Sequence, residues 1–251
     1  MTEILITGGS GKIGFQLVIH FLRLGYKVIT TTRDKSTFFK KRTEFHKTNF
    51  KGLLEIIEVD FTSENADLEI VSYLVNKKIN PQHIIHNARS LEYLKIEEDL
   101  SVSKDNFLGE LFLDIVFPYR LTLKILEQTS NLVNIVFISS MYGVVAPTPS
   151  LYGDFHRSSP INYGVSKAAQ IHLTKELAVR LAPRVRVNCI SFGGIKGRVD
   201  NDFLERYKAL NPQGKMMEES EVVSPVDFLI SDNSRNMTGQ NIIVDGGWTI
   251  W

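Results

Sequence analysis

Apolar residues recur along this chain in two alternating rhythms. Short, nearly continuous Ile/Val/Leu runs are separated by longer stretches in which apolar positions return every three or four residues. The short runs predict strands at Glu3–Thr7, Lys27–Thr31, Leu53–Val59, His83–His86, Leu132–Ile138, Val185–Ile190 and Asn241–Val244. The longer stretches predict helices at Lys12–Leu24, Lys35–Lys47, Asn65–Lys77, Val102–Gln128, Asn162–Leu181, Asn201–Leu210 and Glu218–Ile230. A strand with one wet face alternates apolar and polar residues. Several of these do not, which suits strands covered on both faces of a parallel sheet. Strand–helix alternation then gives a doubly wound α/β sheet with right-handed crossovers and helices on both faces. Ala146–Pro160 and Gly193–Gly197 follow strands and read as irregular, so both are expected at the C-terminal edge of the sheet, where ligands bind.

Composition narrows this picture. The chain has 251 residues, and no repeat, low-complexity tract or linker divides it, so one domain over 1–251 is expected, with substrate loops near 146–160 and 193–224. Lys+Arg number 29 against Asp+Glu 28, which gives no field to draw nucleic acid or an anionic membrane. The single cysteine, Cys189, sits in the apolar run 185–190 and reads as a buried thiol in a reducing compartment. No apolar run approaches the roughly 18 residues of a membrane span, and Met1-Thr-Glu3 enters a strand without a signal peptide. A cytoplasmic protein with no bound metal is expected.

The first strand runs into Thr7-Gly8-Gly-Ser10-Gly11-Lys12-Ile13-Gly14, which opens the first helix. Glycines allow a tight turn and close backbone approach to a pyrophosphate. The helix N-terminus adds free N–H groups and the positive end of its dipole. A dinucleotide cofactor is the expected ligand, and a plain strand–helix turn the alternative. The second strand ends Thr30-Thr31-Thr32-Arg33, without the acid that holds ribose hydroxyls in NAD-type sites. Arg33 suits a 2′-phosphate, and Lys12 adds charge, so NADP(H) is favoured over NAD(H) unless Arg33 is a solvated loop residue. After the third strand, Asp60, followed by Phe61, either accepts from an adenine amino group or closes a turn.

Tyr-x-x-x-Lys occurs twice, at Tyr73–Lys77 and at Tyr163–Lys167. The spacing only says that the two side chains share a helix face. Tyr163 follows a strand ending in Ser139-Ser140 and starts a helix with small residues, whereas Tyr73 has neither feature and reads as surface. A carbonyl accepting hydride needs a proton at oxygen, and an ordinary phenol, with a pKa near 10, is a poor acid and base at neutral pH. A lysine ammonium one turn away favours the phenolate. Ser140 can position the substrate oxygen.

With these motifs in view, the chain resembles a short-chain dehydrogenase/reductase over nearly its whole length. The resemblance rests on Thr7–Gly14, Asp60, His86-Asn87-Ala88, Ile138-Ser-Ser140, Tyr163-x-x-x-Lys167, Val187-Asn188 and Thr238–Trp248. It implies a Rossmann domain of about seven strands, a nicotinamide cofactor touching Asn87, Ala88, Gly193 and Ile195, Tyr163 as acid/base, and a homodimer or homotetramer. The departures are specific. Arg89 replaces the glycine expected after Asn87-Ala88. Asp114 stands where the family's helix asparagine supports a proton relay to the lysine. Gly197 replaces a threonine that contacts the carboxamide. The glycine spacing is that of the longer, sugar-nucleotide branch.

The insertion 146–156 and Met141-Tyr142-Gly143-Val-Val-Ala-Pro147 resemble a subgroup of flagellin-modification or surface-polysaccharide oxidoreductases. That implies a sugar or sugar-phosphate substrate. Arg89, Arg157 and Lys196 then either meet an anionic group of the substrate or are solvated surface. Tyr142 lies beside the serines, and His156 is either a second proton donor or a loop histidine. The expected activity is NADP(H)-dependent interconversion of a hydroxyl and a ketone. The alternatives are a cofactor-binding scaffold with a degenerate site, or a nucleotide-sugar epimerase or dehydratase.

Overall fold

A computed structural model describes residues 1–40, 50, 52–197 and 199–251. Among them, strands β1 (Glu3–Ile6), β2 (Lys27–Thr32), β3 (Leu54–Glu58), β4 (His83–His86), β5 (Asn134–Ser140), β6 (Arg186–Phe192) and β7 (Asn241–Val244) form one sheet. Every pairing is parallel, in the order β3-β2-β1-β4-β5-β6-β7. The expected doubly wound α/β architecture is therefore present. The strand order reverses between β1 and β4, where Ile6 lies opposite both Thr30 and Ile85. Such a switch point opens a crevice at the C-terminal strand edge.

The continuous apolar runs are explained by two cores. Ile4 and Ile6 face α1 (Lys12–Arg23), with Phe15, Val18 and Phe21, and α9 (Val223–Ile230), with Val226 and Leu229. Leu5, between them, faces the other way with Ile29, Ile84 and Phe137. There it meets α3 (Ala66–Lys77), α5 (Phe117–Gln128) and α7 (Ile161–Leu181) through Ile70, Leu121 and Leu177. Each fully buried large side chain contributes about 1.5–3 kcal/mol relative to exposure. Cys189 is buried in this second core, as expected. A third cluster of Met141, Leu151, Tyr207, Met216 and Trp248 packs the insertion, which continues into α6 (Phe155–Ser158), through Leu151 and Tyr152 against α8 (Asn201–Leu210) and the C-terminal turn. No helix among the described residues is long and apolar enough to cross a membrane.

Some boundaries differ from the expected ones by more than a residue. The stretch expected as one helix over Val102–Gln128 is α4 (Lys104–Leu111), a π turn at Phe112–Val116, and α5. The extra residue of the π turn lets both Leu113 and Asp114 point inward. Helix α2 covers Lys35–Lys40, and the remainder of the expected Lys35–Lys47 helix lies outside the described residues. The segment expected as a helix from Glu218 begins as a 3-10 turn, Glu219–Val222, closed by a Glu218–Glu221 capping box. Strands β5 and β6 each end two residues later than the hydrophobic runs suggest, because Ser139 and Ser140 pair across to Ser191 and Phe192.

Candidate active site

The glycine loop is pinned to the β4 edge from below. Thr7 Oγ1 accepts the N–H groups of Asn87 and Ala88, each at 3.0 Å, and Asn87 Nδ2 donates to the Thr7 carbonyl at 2.9 Å. The glycines have separate reasons. A Cβ on Gly14 would stand 2.2 Å from the Gly8 carbonyl oxygen, so packing forbids a side chain there. A Cβ on Gly11 would meet only that same oxygen, at 3.4 Å. The protein itself does not require glycine at 11. The open space fits close approach by a ligand. Gly11 is also the N-cap of α1 and provides no side-chain cap, so the helix presents N–H groups suited to a pyrophosphate. Ser10 Oγ accepts from Thr32 Oγ1 at 3.2 Å, and Arg33 is exposed just beyond β2.

Other residues expected around a cofactor have visible partners. Asp60 Oδ1 accepts from Thr62 N at 3.0 Å and from Thr62 Oγ1 at 2.9 Å, closing the turn after β3. Phe61 stacks on Phe117 with ring centroids 4.0 Å apart. Lys12 Nζ donates to the Lys196 carbonyl at 2.7 Å, which ties α1 to the loop after β6. That loop is held from its other side as well. Gly193 N donates to Val244 O at 2.9 Å, Gly194 N to Tyr207 Oη at 2.8 Å, and Ile195 bridges Met217.

Ser140 ends β5, and its Oγ accepts the Tyr142 N–H at 3.2 Å. The turn that follows packs directly on α7, since a Cβ on Gly143 would lie 2.7 Å from the Lys167 carbonyl carbon. This contact packs the turn after Ser140 against the second turn of α7, one turn beyond the half-buried Tyr163. Lys167, one turn on, is 4 % exposed. Its Nζ lies 3.2 and 3.1 Å from the two Asp114 oxygens, and also donates to Ile138 O at 3.3 Å and Gln170 Oε1 at 3.4 Å. Three acceptor groups thus meet the three ammonium protons. Asp114 receives a further bond from Ser166 Oγ at 2.8 Å. The Arg89 guanidinium carbon stands 4.3 Å from the Tyr163 ring centroid, a cation–π contact.

On the flank, the Tyr142 ring meets Tyr163 edge-on at 6.4 Å, and Tyr152 Oη donates to Tyr142 Oη at 2.6 Å. Burial pushes both of these hydroxyls up from the ordinary phenol range. Tyr152 packs on Phe203 of α8, so the insertion forms an aromatic wall beside Tyr163. Of the side chains expected to meet substrate, Arg89 and Tyr142 stand at Tyr163. Arg157 is exposed, 3.8 Å from Asp154 and 3.5 Å from Glu98 O. Lys196 pairs with Glu218, and His156 is exposed against Phe155.

The sequence reading missed Glu110. It is 1 % exposed, and neither carboxyl oxygen has a hydrogen-bond partner. Burial pushes its carboxyl up to about 7, Asp114 adds to the rise, and Arg89 and Lys167 oppose it. A signal was present, because Glu110 lies on the same helical stripe as the buried Leu113, Phe117 and Leu121.

Comparison with known proteins follows the same lines. A family model described as Enoyl-(Acyl carrier protein) reductase matches residues 9–249. The chain is 30% identical to Senescence-associated protein 13 of Arabidopsis thaliana over 253 residues, covering 98% of this chain and 89% of that one. It is 37% identical over 116 residues to Post-translational flagellin modification protein A of Campylobacter coli, covering 46% of this chain and 45% of that one. A solved short-chain dehydrogenase from Leptospira borgpetersenii, with bound NAD+, aligns with a TM-score of 0.85 at 31% identity, over 99% of this chain and 92% of that one.

Proposed function

This chain belongs to the short-chain dehydrogenase/reductase family and is a nicotinamide-dependent oxidoreductase of that kind, and we propose that it interconverts a hydroxyl and a ketone on a sugar or sugar phosphate, with a preference for NADP(H). One cofactor-binding domain over 1–251 would serve that role. The observation that carries the reading is the half-buried Tyr163 beside buried Ser140, Lys167 and Asp114, at the C-terminal edge of the sheet where the glycine loop opens. Ser10–Gly14 would hold the pyrophosphate, Arg33 the 2′-phosphate, and Asp60 and Phe61 the adenine side. Asn87, Ala88, Gly193, Ile195, Tyr163 and Lys167 would line the nicotinamide half. When bound, the cofactor supplies or takes the hydride.

The protein's own residues handle the proton. In reduction, the Tyr163 hydroxyl donates to the substrate oxygen, and Ser140 Oγ donates a hydrogen bond to the same atom. Lys167, held by Asp114, would keep a positive charge one turn from Tyr163 and so favour the phenolate left behind. Positioned proton transfer of this kind is worth about 10²–10⁴ in rate. The sugar assignment is supported by the partial likeness to the Campylobacter coli flagellin modification protein and by the paired Tyr142 and Tyr152 hydroxyls beside Tyr163. Arg89 offers a cation to a phosphate or carboxylate on the substrate.

The test is oxidation of NADPH and NADH against a panel of keto-sugars and their phosphates. NADPH is expected to be consumed faster than NADH. Arg33→Ala should weaken NADPH use about tenfold or more, in keeping with loss of a charge-assisted hydrogen bond, and leave NADH use in place. Turnover of a sugar without net cofactor consumption would instead favour the epimerase or dehydratase reading.

A further inference from the structure

Glu110 occupies the last turn of α4 in a seam that leaves three buried acceptor oxygens without partners. Neither Glu110 oxygen is hydrogen-bonded, and Asn162 Oδ1, at the start of α7, is also alone. Asn162 otherwise stitches the seam, since its Nδ2 donates to Tyr93 O at 2.8 Å and to Asn106 O at 3.1 Å. An unpartnered buried carboxylate is costly to a fold, and a leucine would fill the same helical stripe without that cost. The charges that act on Glu110 belong to the active site: Asp114 in the π turn, Arg89 over the Tyr163 ring, and Lys167. The elements packed on α4 bring the other titratable groups. These are Tyr163 on α7, and Glu92 and Tyr93 on the 3-10 turn Glu92–Leu94; Lys104 and Asp105 lie in its own first turn.

We propose that Glu110 is a positioning residue of the active site, a buried acid whose gain and loss of a proton sets the net charge of the cluster it forms with the Lys167–Asp114 pair and Arg89 beside Tyr163. The inference rests on Tyr163 being the acid/base group. With Glu110 protonated, Asp114, Lys167 and Arg89 leave one positive charge in surplus. With Glu110 ionised, the cluster is balanced. A surplus positive charge stabilises the oxyanion that develops as a ketone is reduced. Burial holds the carboxyl near 7, so this change falls close to neutral pH. Reduction should therefore slow as pH rises through that value.

The stability signature has a definite sign. The folded-state value is raised above the ordinary 4.5, so the stabilisation is complete below that value and is lost as pH rises through about 7. Glu110→Gln keeps the neutral shape. It should melt higher than the wild type above neutrality and show no such gain in mild acid.

The deciding experiment follows the Glu110 carboxyl by NMR with 13C-labelled glutamate, the signal being assigned by its absence in Glu110→Gln, or by its absence in Glu110→Asp if the first variant does not fold. The wild-type signal should titrate near 7, move up in Lys167→Met and move down in Asp114→Asn. In turnover, the wild type should lose reduction rate through the same pH, and Glu110→Gln should lack that step. A carboxyl that stays ionised wherever the fold holds, or ignores both substitutions, overturns the proposal, as does an unchanged pH profile in Glu110→Gln. The NMR measurement needs no substrate. Intact coupling without turnover on any sugar would reject the substrate assignment and leave Glu110 coupled to the pair.

Discussion

Tyr73–Lys77 on α3 and Tyr163–Lys167 on α7 share one spacing and one internal geometry. In each pair the lysine nitrogen stands 5.9 Å from the centroid of its tyrosine ring. Everything else differs. Lys77 is exposed, and Tyr73, half-buried rather than fully on the surface, donates its hydroxyl to Glu55. Burial and that carboxylate push Tyr73 up to about 12. Lys167 is buried on Asp114, and Tyr163 has the Arg89 guanidinium over its face. The cause is topological. Helices return antiparallel to the strands, so the late turns of α3 lie at the sheet's N-terminal edge, beside the first residues of β3. The first turn of α7 lies at the opposite edge, where Ser140 ends β5 and the glycine loop opens. Helical spacing makes the pair, and its height along the sheet decides what the pair can do.

The contrast can be broken most forcefully at the lysines. Lys167→Met would leave the Asp114 carboxylate buried without its cation, a loss of about 3–5 kcal/mol, whereas Lys77→Met should stay within about 0.5 kcal/mol. Urea unfolding of the two variants measures both. Equal losses would mean that Lys167 is not the buried partner the geometry makes it. The smaller effect lies at Tyr73. Its folded-state value is raised above 10, so its bond to Glu55 stabilises the fold below 10 and that contribution is lost as pH rises towards about 12. Tyr73→Phe should therefore be less stable than the wild type near neutrality, by about 1 kcal/mol, and the gap should close in alkali. Melting curves across that range would show it.

Much of this was legible in the residues. Runs apolar on both faces gave a parallel sheet, and serines ending β5 before Tyr163 separated the two Tyr-x-x-x-Lys pairs. What stayed hidden has physical causes. A π turn changes the helical repeat over only one turn, too short to disturb the apolar period of 102–128, yet it aims Asp114 at Lys167. Glu110 was easy to pass over because a lone acid in a long helix usually faces water. Only the burial of Leu113 and Phe117 around it marks that face as the inner one. Lys196 reads from the sequence as a substrate contact or solvated surface, and Glu218 pairs with it from a segment 22 residues on that no local pattern predicts, whereas Asp154, the N-cap of α6, meets Arg157 at i,i+3.

The central claim is that surroundings, and not spacing, make Tyr163 the acid/base group. It is tested most directly by NADPH consumption with one accepted keto-sugar, measured for the wild type, Tyr163→Phe and Tyr73→Phe. The account predicts a fall of about 10²–10⁴ for Tyr163→Phe and an unchanged rate for Tyr73→Phe. A wild-type rate in Tyr163→Phe would contradict it.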